Sequence, residues 1–104
     1  MLDIVPDLKV QYTREAANDL DRIWDYTEEV WSVTQAETYV SALRRTIGSL
    51  AEMPEMARKR TELSPPMFSH PSAEHLIFFQ VDGQTHTVTR ILGQRQNWHA
   101  ILSD

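Results

Sequence analysis

The 104-residue sequence contains no cysteine, which excludes a disulfide framework, a zinc–thiolate centre and a thiol nucleophile. No apolar run approaches the roughly 18 residues of a membrane span. The start, Met1-Leu2-Asp3-Ile4-Val5-Pro6-Asp7, lacks the basic opening of a signal peptide. A cytoplasmic location without membrane contact is therefore expected. There are only three glycines, and none belongs to a phosphate-cradling loop or a Gly-x-Ser-x-Gly nucleophile elbow. Basic residues are scarce at the front: residues 1–57 hold 11 acids and 5 bases, residues 58–104 hold 4 acids and 5 bases. A chain that binds nucleic acid by itself usually shows a basic stripe, so autonomous nucleic-acid binding is not expected. His70, His75, His86 and His99 have no paired i, i+4 ligand spacing, so neither a metal site nor any other cofactor is expected. Length implies one domain over residues 1–104, with residues 1–7 as a flexible tail.

What the sequence does have is a hairpin. Glu74-His75-Leu76-Ile77-Phe78-Phe79-Gln80-Val81 and Gln84-Thr85-His86-Thr87-Val88-Thr89-Arg90-Ile91-Leu92 flank Asp82-Gly83, a strong two-residue turn signal. With Asp82 and Gly83 as the loop, Val81 faces Gln84, Phe79 faces His86, Ile77 faces Val88 and His75 faces Arg90. The first strand is then apolar on both faces from Leu76 to Phe79, which implies a cover on each side.

One cover lies upstream. Leu8-Lys9-Val10-Gln11-Tyr12 alternates as a short strand, and Thr13 can cap a helix whose first turn holds Glu15. Ala16, Leu20, Ile23, Trp24, Thr27 and Trp31 recur at helical spacing, predicting a helix from about Arg14 to Val30 whose apolar side packs on the sheet. Asp21, Asp25 and Glu28 form its solvated stripe. Ser32-Val33-Thr34-Gln35 and Thr34-Gln35-Ala36-Glu37 fit the capping box, so a second helix starts near Val33. Ala36, Tyr39, Val40, Leu43, Ile47 and Leu50 form its apolar face, and Pro54 closes it. The short link makes the two helices antiparallel neighbours. Residues 54–66 read as a loop carrying Arg58-Lys59-Arg60, and Met67-Phe68-Ser69-His70 as an edge strand stopped by Pro71. Asn97 can cap a last helical turn containing Trp98, Ile101 and Leu102. The fold class is α+β: a helical hairpin on one face of a mainly antiparallel sheet, in the order β-α-α-β-β-β with a short C-terminal helical turn.

Nearly the whole chain also resembles a known family. Tyr12-Thr13-x-x-Ala16-x-x-Asp19-Leu20-x-x-Ile23-Trp24-Asp25-Tyr26 and Trp31-Ser32-x-x-Gln35-Ala36-x-x-Tyr39 are similar to the two helices of ParE toxins, in the RelE/ParE superfamily. Leu50-Ala51-x-x-Pro54 with Arg58-x-Arg60 resembles their loop. His75-Leu76-Ile77-Phe78-Phe79 and Arg90-Ile91-Leu92-x-x-Arg95 resemble their two central strands and the segment after them. The resemblance implies the toxin of a type II toxin–antitoxin pair, held in a hetero-oligomer by a ParD-like antitoxin whose C-terminal segment wraps across it. Such a segment is a candidate for the second cover of the hairpin, as is the chain's own Trp98-Ile101-Leu102 turn. Leu76, Phe78, Ile91, Trp98 and Ile101 are the candidate antitoxin contacts.

ParE-like members are implicated in poisoning DNA gyrase, and RelE-like members cut messenger RNA on the ribosome. The second chemistry needs cations and a proton acceptor. Arg58, Lys59, Arg60, Arg90 and Arg95 supply the former, but the last tyrosine is Tyr39, leaving only His99 near the end. The resemblance therefore implies a gyrase inhibitor with no catalytic residue, not an enzyme. Arg95 and Trp98, then Arg58, Arg60 and Arg90, are the candidate target contacts. The ParE pattern commonly reads Arg-x-Leu-His-Gly-Arg-Met-Asp where this chain has Arg90-Ile91-Leu92-Gly93-Gln94-Arg95-Gln96-Asn97. Gly93 and Asn97 depart from it, which leaves open an attenuated toxin that only binds its antitoxin.

Overall fold

Thr13 ends strand β1 (Lys9–Tyr12) and begins helix α1 (Arg14–Val30), its side chain accepting from the Ala16 N–H. Ser32 does the same for α2 (Val33–Glu52) by accepting from Gln35 N–H. Each cap satisfies an N–H that the first turn leaves without a partner. The computed structural model describes residues 8–103; the expected tail, residues 1–7, lies outside them. A 3₁₀ turn at Pro54–Met56 follows α2, with Pro54 where a helical N–H would be unsatisfied.

The rest is sheet, with one more strand than expected. Arg58–Arg60 is not loop but β2, paired antiparallel with β3 (Met67–Ser72). β3 is thus an inner strand, and Pro71 does not stop it. The reason is local: β2 pairs only as far as Ser69, so on that side Pro71 meets no neighbouring ladder. β4 (His75–Asp82) and β5 (Thr85–Gly93) complete a five-stranded sheet in the order β1-β5-β4-β3-β2. β1 runs parallel to β5 and every other pairing is antiparallel, so the α+β architecture is as expected.

The hairpin register differs from the expected one. Asp82 pairs with Thr85, leaving Gly83 and Gln84 as the loop, with Gly83 at φ +62°. A mirror-image two-residue turn needs that left-handed conformation at its first position, and glycine adopts it without steric cost. Phe79 therefore faces Val88, not His86. Between Phe78 and Phe79 the ladder shifts again, so that Phe78 pairs with Arg90 and Thr89 is the extra residue of a bulge. The bulge is held from β1: Thr13 N–H donates to Val88 O, and Thr13 Oγ1 donates to Thr89 O at 2.8 Å. A bulge re-aims the side chains beside it, and here it turns Arg90 toward α1.

Two apolar cores result. Ala16, Leu20, Ile23, Val40, Leu43, Ile47 and Leu50 of the helices pack on Ile77, Phe79, Val88 and Ile91. Trp24 is only half-buried at the margin of this core, its Nε1–H donating to Glu28. Trp31 leaves the stripe altogether and is 71% exposed, because α1 ends at Val30 and helical spacing no longer places the next residue. On the other face, Phe78, Leu92 and Leu63 form a second core, closed by Met67, Leu76 and α3 (Trp98–Leu102). Asn97 Oδ1 caps α3 by accepting from Ala100 N–H. The chain's own tail thus covers the apolar half of that face.

Among the described residues, one buried side chain is left without a hydrogen-bond partner. His86 is buried among Ile47, Leu50, Ala51, Ile77, Phe79 and Val88, and neither ring nitrogen has a hydrogen-bond partner. An unmet buried polar group costs about 1–3 kcal/mol. His86→Leu, which fills similar space without polar atoms, is expected to raise the urea midpoint of unfolding. An unchanged or lower midpoint would show that the imidazole is satisfied in solution.

Candidate binding site

The bulge and the first helix build one side of a groove. Asp19 of α1 is 4% exposed and accepts four hydrogen bonds. Arg90 Nε and Nη2 reach its two oxygens at 2.8 and 3.1 Å, Ile91 N–H donates to Oδ2 at 2.9 Å, and Arg22 Nη2 donates to Oδ1 at 2.7 Å. The fork-on-fork pairing is the strong form of an Arg–carboxylate contact. Its hydrogen bonds to Asp19 hold the Arg90 guanidinium above its ordinary pKa.

The other side comes from α2 and the β3–β4 turn. Tyr39 hydroxyl lies 2.7 Å from His75 Nδ1 and accepts from Glu74 N–H at 3.0 Å. The two rings meet edge to face, 5.5 Å between centroids. Burial pushes the Tyr39 hydroxyl up and the His75 imidazole down from their usual values. Between these walls lies a groove of about 440 Å³ with Ile23, Ile91 and Leu92 at its apolar base. Gln35, Gln96, Tyr26, Thr27 and Trp31 complete the lining, and Gln96 Oε1 accepts from Gly93 N–H.

The candidate contacts read from the sequence divide between the two faces. Arg90 belongs to the groove and is tied to Asp19. Arg60 and Trp98 meet on the opposite face, the guanidinium carbon 4.7 Å from the indole centroid. Arg60 Nε also donates to Ser69 Oγ, leaving its side chain 15% exposed. Trp98 packs on Phe78 at 5.2 Å and stacks on His99 at 3.6 Å. Arg58 on β2 and Arg95 in the turn before α3 are exposed. Phe78 is closed inside the second core and Ile91 is buried beneath the groove floor it helps to form, whereas Leu76, Trp98 and Ile101 are half-buried. Among the described residues no three His, Asp or Glu side chains gather as a metal-ligand set, and no helix is long and apolar enough to cross a membrane.

Sequence reasoning misses the groove. Asp19 and Tyr39 stand in the family motifs without a role there, and helical spacing puts Trp31 in the core. The one available signal is Asp19 itself, an acid amid the apolar positions Ala16, Leu20 and Ile23. A lone acid on a buried stripe demands a partner.

Comparison with known proteins gives a consistent answer. Residues 10–98 match the family described as the ParE toxin of the type II toxin–antitoxin system parDE. Toxin ParE1 of Caulobacter vibrioides is 37% identical over 90 residues, covering 86% of this chain and 93% of that protein. Toxin ParE1 of Mycobacterium tuberculosis is 35% identical over 79 residues, covering 75% and 81%. A solved structure titled as the chromosomal ParDE system of P. aeruginosa superposes with a TM-score of 0.71 at 22% identity, covering 83% of this chain and 95% of that one. That likeness is one of fold. The match over most of the chain, with two relatives above one-third identity, places this chain in the ParE toxin family of type II toxin–antitoxin systems.

Proposed function

We propose that this ParE-family chain is neutralised by a ParD-like antitoxin and, when free, arrests growth by trapping the DNA gyrase–DNA cleavage complex. The observation that carries this reading is family membership across residues 10–98, which takes in both the groove and Trp98 at the start of α3. An inhibitor of this kind acts by binding, so it needs interface anchors and no general base. Exposed Arg95 and Arg58 are the contacts that can reach a target without disturbing the core. Trp98 is a less clean test, because it also packs on Phe78.

A second reading rests on His99, which lies 3.8 Å from Glu62 and stacks on Trp98 beside Arg60. An imidazole next to a cation is the minimum for ribosome-dependent RNA cleavage. One experiment separates the two. In a purified supercoiling reaction without ribosomes, the chain is expected to accumulate gyrase-cleaved DNA, and Arg95→Ala to abolish this while still binding the antitoxin. Cleavage of messenger RNA on translating ribosomes, lost in His99→Ala and with gyrase untouched, would replace the first reading by the second.

A further inference from the structure

Among the described residues, the polar groups that the groove's two networks leave without a partner are donors, apart from the Glu74 carboxylate at the rim. Asp19 is saturated by four hydrogen bonds and has nothing left for a ligand. Arg22 spends one nitrogen on Asp19, and its side chain is 67% exposed, so most of its guanidinium is free. The polarity of the other wall follows from its hydrogen bonds. Glu74 N–H donates to the Tyr39 oxygen, and the arrangement that uses every proton of the pair has the hydroxyl donating to His75 Nδ1, 2.7 Å away. If Nδ1 carried the proton instead, the Tyr39 hydroxyl would accept twice and its own proton would have no acceptor in the pair. With the Tyr39 proton directed at Nδ1, a neutral His75 carries its own proton on Nε2, where it is a donor.

The surface around these donors is apolar and open. Tyr26 is 68% exposed and Trp31 71%, and Val30 and Val33 continue the strip along the α1–α2 corner. Trp, Tyr and Arg are the residues that dominate protein interfaces, and a strip running past the groove suits a chain segment better than an enclosed small molecule. Charge complementarity then specifies the segment. Arg22 and the His75 imidazole both line the groove, so an incoming carboxylate is drawn to these donors and turned away from the exposed carboxylate of Glu74 at the rim.

We propose that this groove recognises an apolar-faced segment of the antitoxin through one carboxylate, bound by Arg22 and His75 Nε2–H while Trp31 and Tyr26 cover its apolar side. The proposal rests on the toxin–antitoxin reading above and names the chemistry of the partner at this site. Arg22 and His75 act as specificity-determining residues: an amide in place of the acid leaves Arg22 without its counter-charge.

The test is calorimetric titration of the separately purified ParD-like antitoxin into this chain. Arg22→Gln and His75→Phe are expected to weaken binding about 10- to 100-fold each, the size of one lost charge-assisted hydrogen bond. Arg45→Gln, an exposed cation on the outer side of α2, should bind like wild type, and Glu74→Gln should bind no more weakly. Because Arg22 is mostly exposed, its variant keeps the test valid if His75→Phe fails to fold. One acid-to-amide change in the antitoxin should reproduce the Arg22→Gln loss and add nothing to it in a double-mutant cycle. Antitoxin binding that ignores both Arg22 and His75 overturns the proposal and leaves the partner reading intact. A wild-type chain that does not bind the antitoxin rejects the partner reading, and the proposal with it.

Discussion

Asp19→Ala is expected to cost about 3–5 kcal/mol of stability, because removing one member of a buried pair leaves the other charge uncompensated. Three groups lose their acceptor at once, and of these only the exposed Arg22 can turn to water. Arg90 is left with its guanidinium facing α1, and the Ile91 N–H beside the bulge is orphaned. Asp19→Asn should cost less, since its amide oxygen can still take one of these donors. Combining Asp19→Ala with Arg90→Met should recover part of the loss but not all, because the Ile91 N–H remains unpaired in the double variant. Guanidinium denaturation of the four proteins measures the series. A loss below about 1 kcal/mol for Asp19→Ala would mean that water replaces the carboxylate, and that the clamp orients Arg90 without holding α1 to β5.

Phe78→Ala is expected to cost a similar amount, about 3–5 kcal/mol, as large-to-small changes at fully buried aromatics do. Its ring lies beneath α3, in contact with Trp98, within the small core shared with Leu63 and Leu92. α3 has five residues and none fully buried, too short to persist without tertiary contacts. Loss of Phe78 should therefore free the tail as well as weaken the core. The amides of Ala100, Ile101 and Ser103, which bond within α3 or to its cap, should exchange hydrogen far faster than those of β4. Destabilisation with α3 still protected would show that Arg60 stacking and the remaining contacts with Leu63, Leu92, Met67 and Leu76 hold the tail without Phe78.

These two residues also mark where sequence reasoning succeeds and stops. Phe78 was identifiable because a strand apolar at Leu76, Ile77, Phe78 and Phe79 must be covered twice, and the sequence offered both the tail and a partner as covers. The tail closes the apolar half, so Phe78 lies in the interior beneath α3. Arg58-Lys59-Arg60 carries no hydrophobic alternation, and only the register opposite Phe68 makes it a strand. The candidate cations likewise looked like one set, yet Arg90 and Arg60 point to opposite faces of the sheet.

The sequence by itself determined the helices, their caps, every strand but β2 and the family: helix periodicity, Thr13, Ser32 and Asn97 as caps, and the order of these elements are local properties within a turn or two of each residue. Only the tertiary structure decided the hairpin register, the bulge at Thr89, the Asp19–Arg90 clamp and the groove between Tyr39, His75, Arg22 and Trp31. Asp19 and Arg90 are 71 residues apart, and nothing in either neighbourhood encodes their meeting. It follows from packing α1 on β5, where a buried carboxylate must find a cation and a one-residue slip of the ladder aims Arg90 at it.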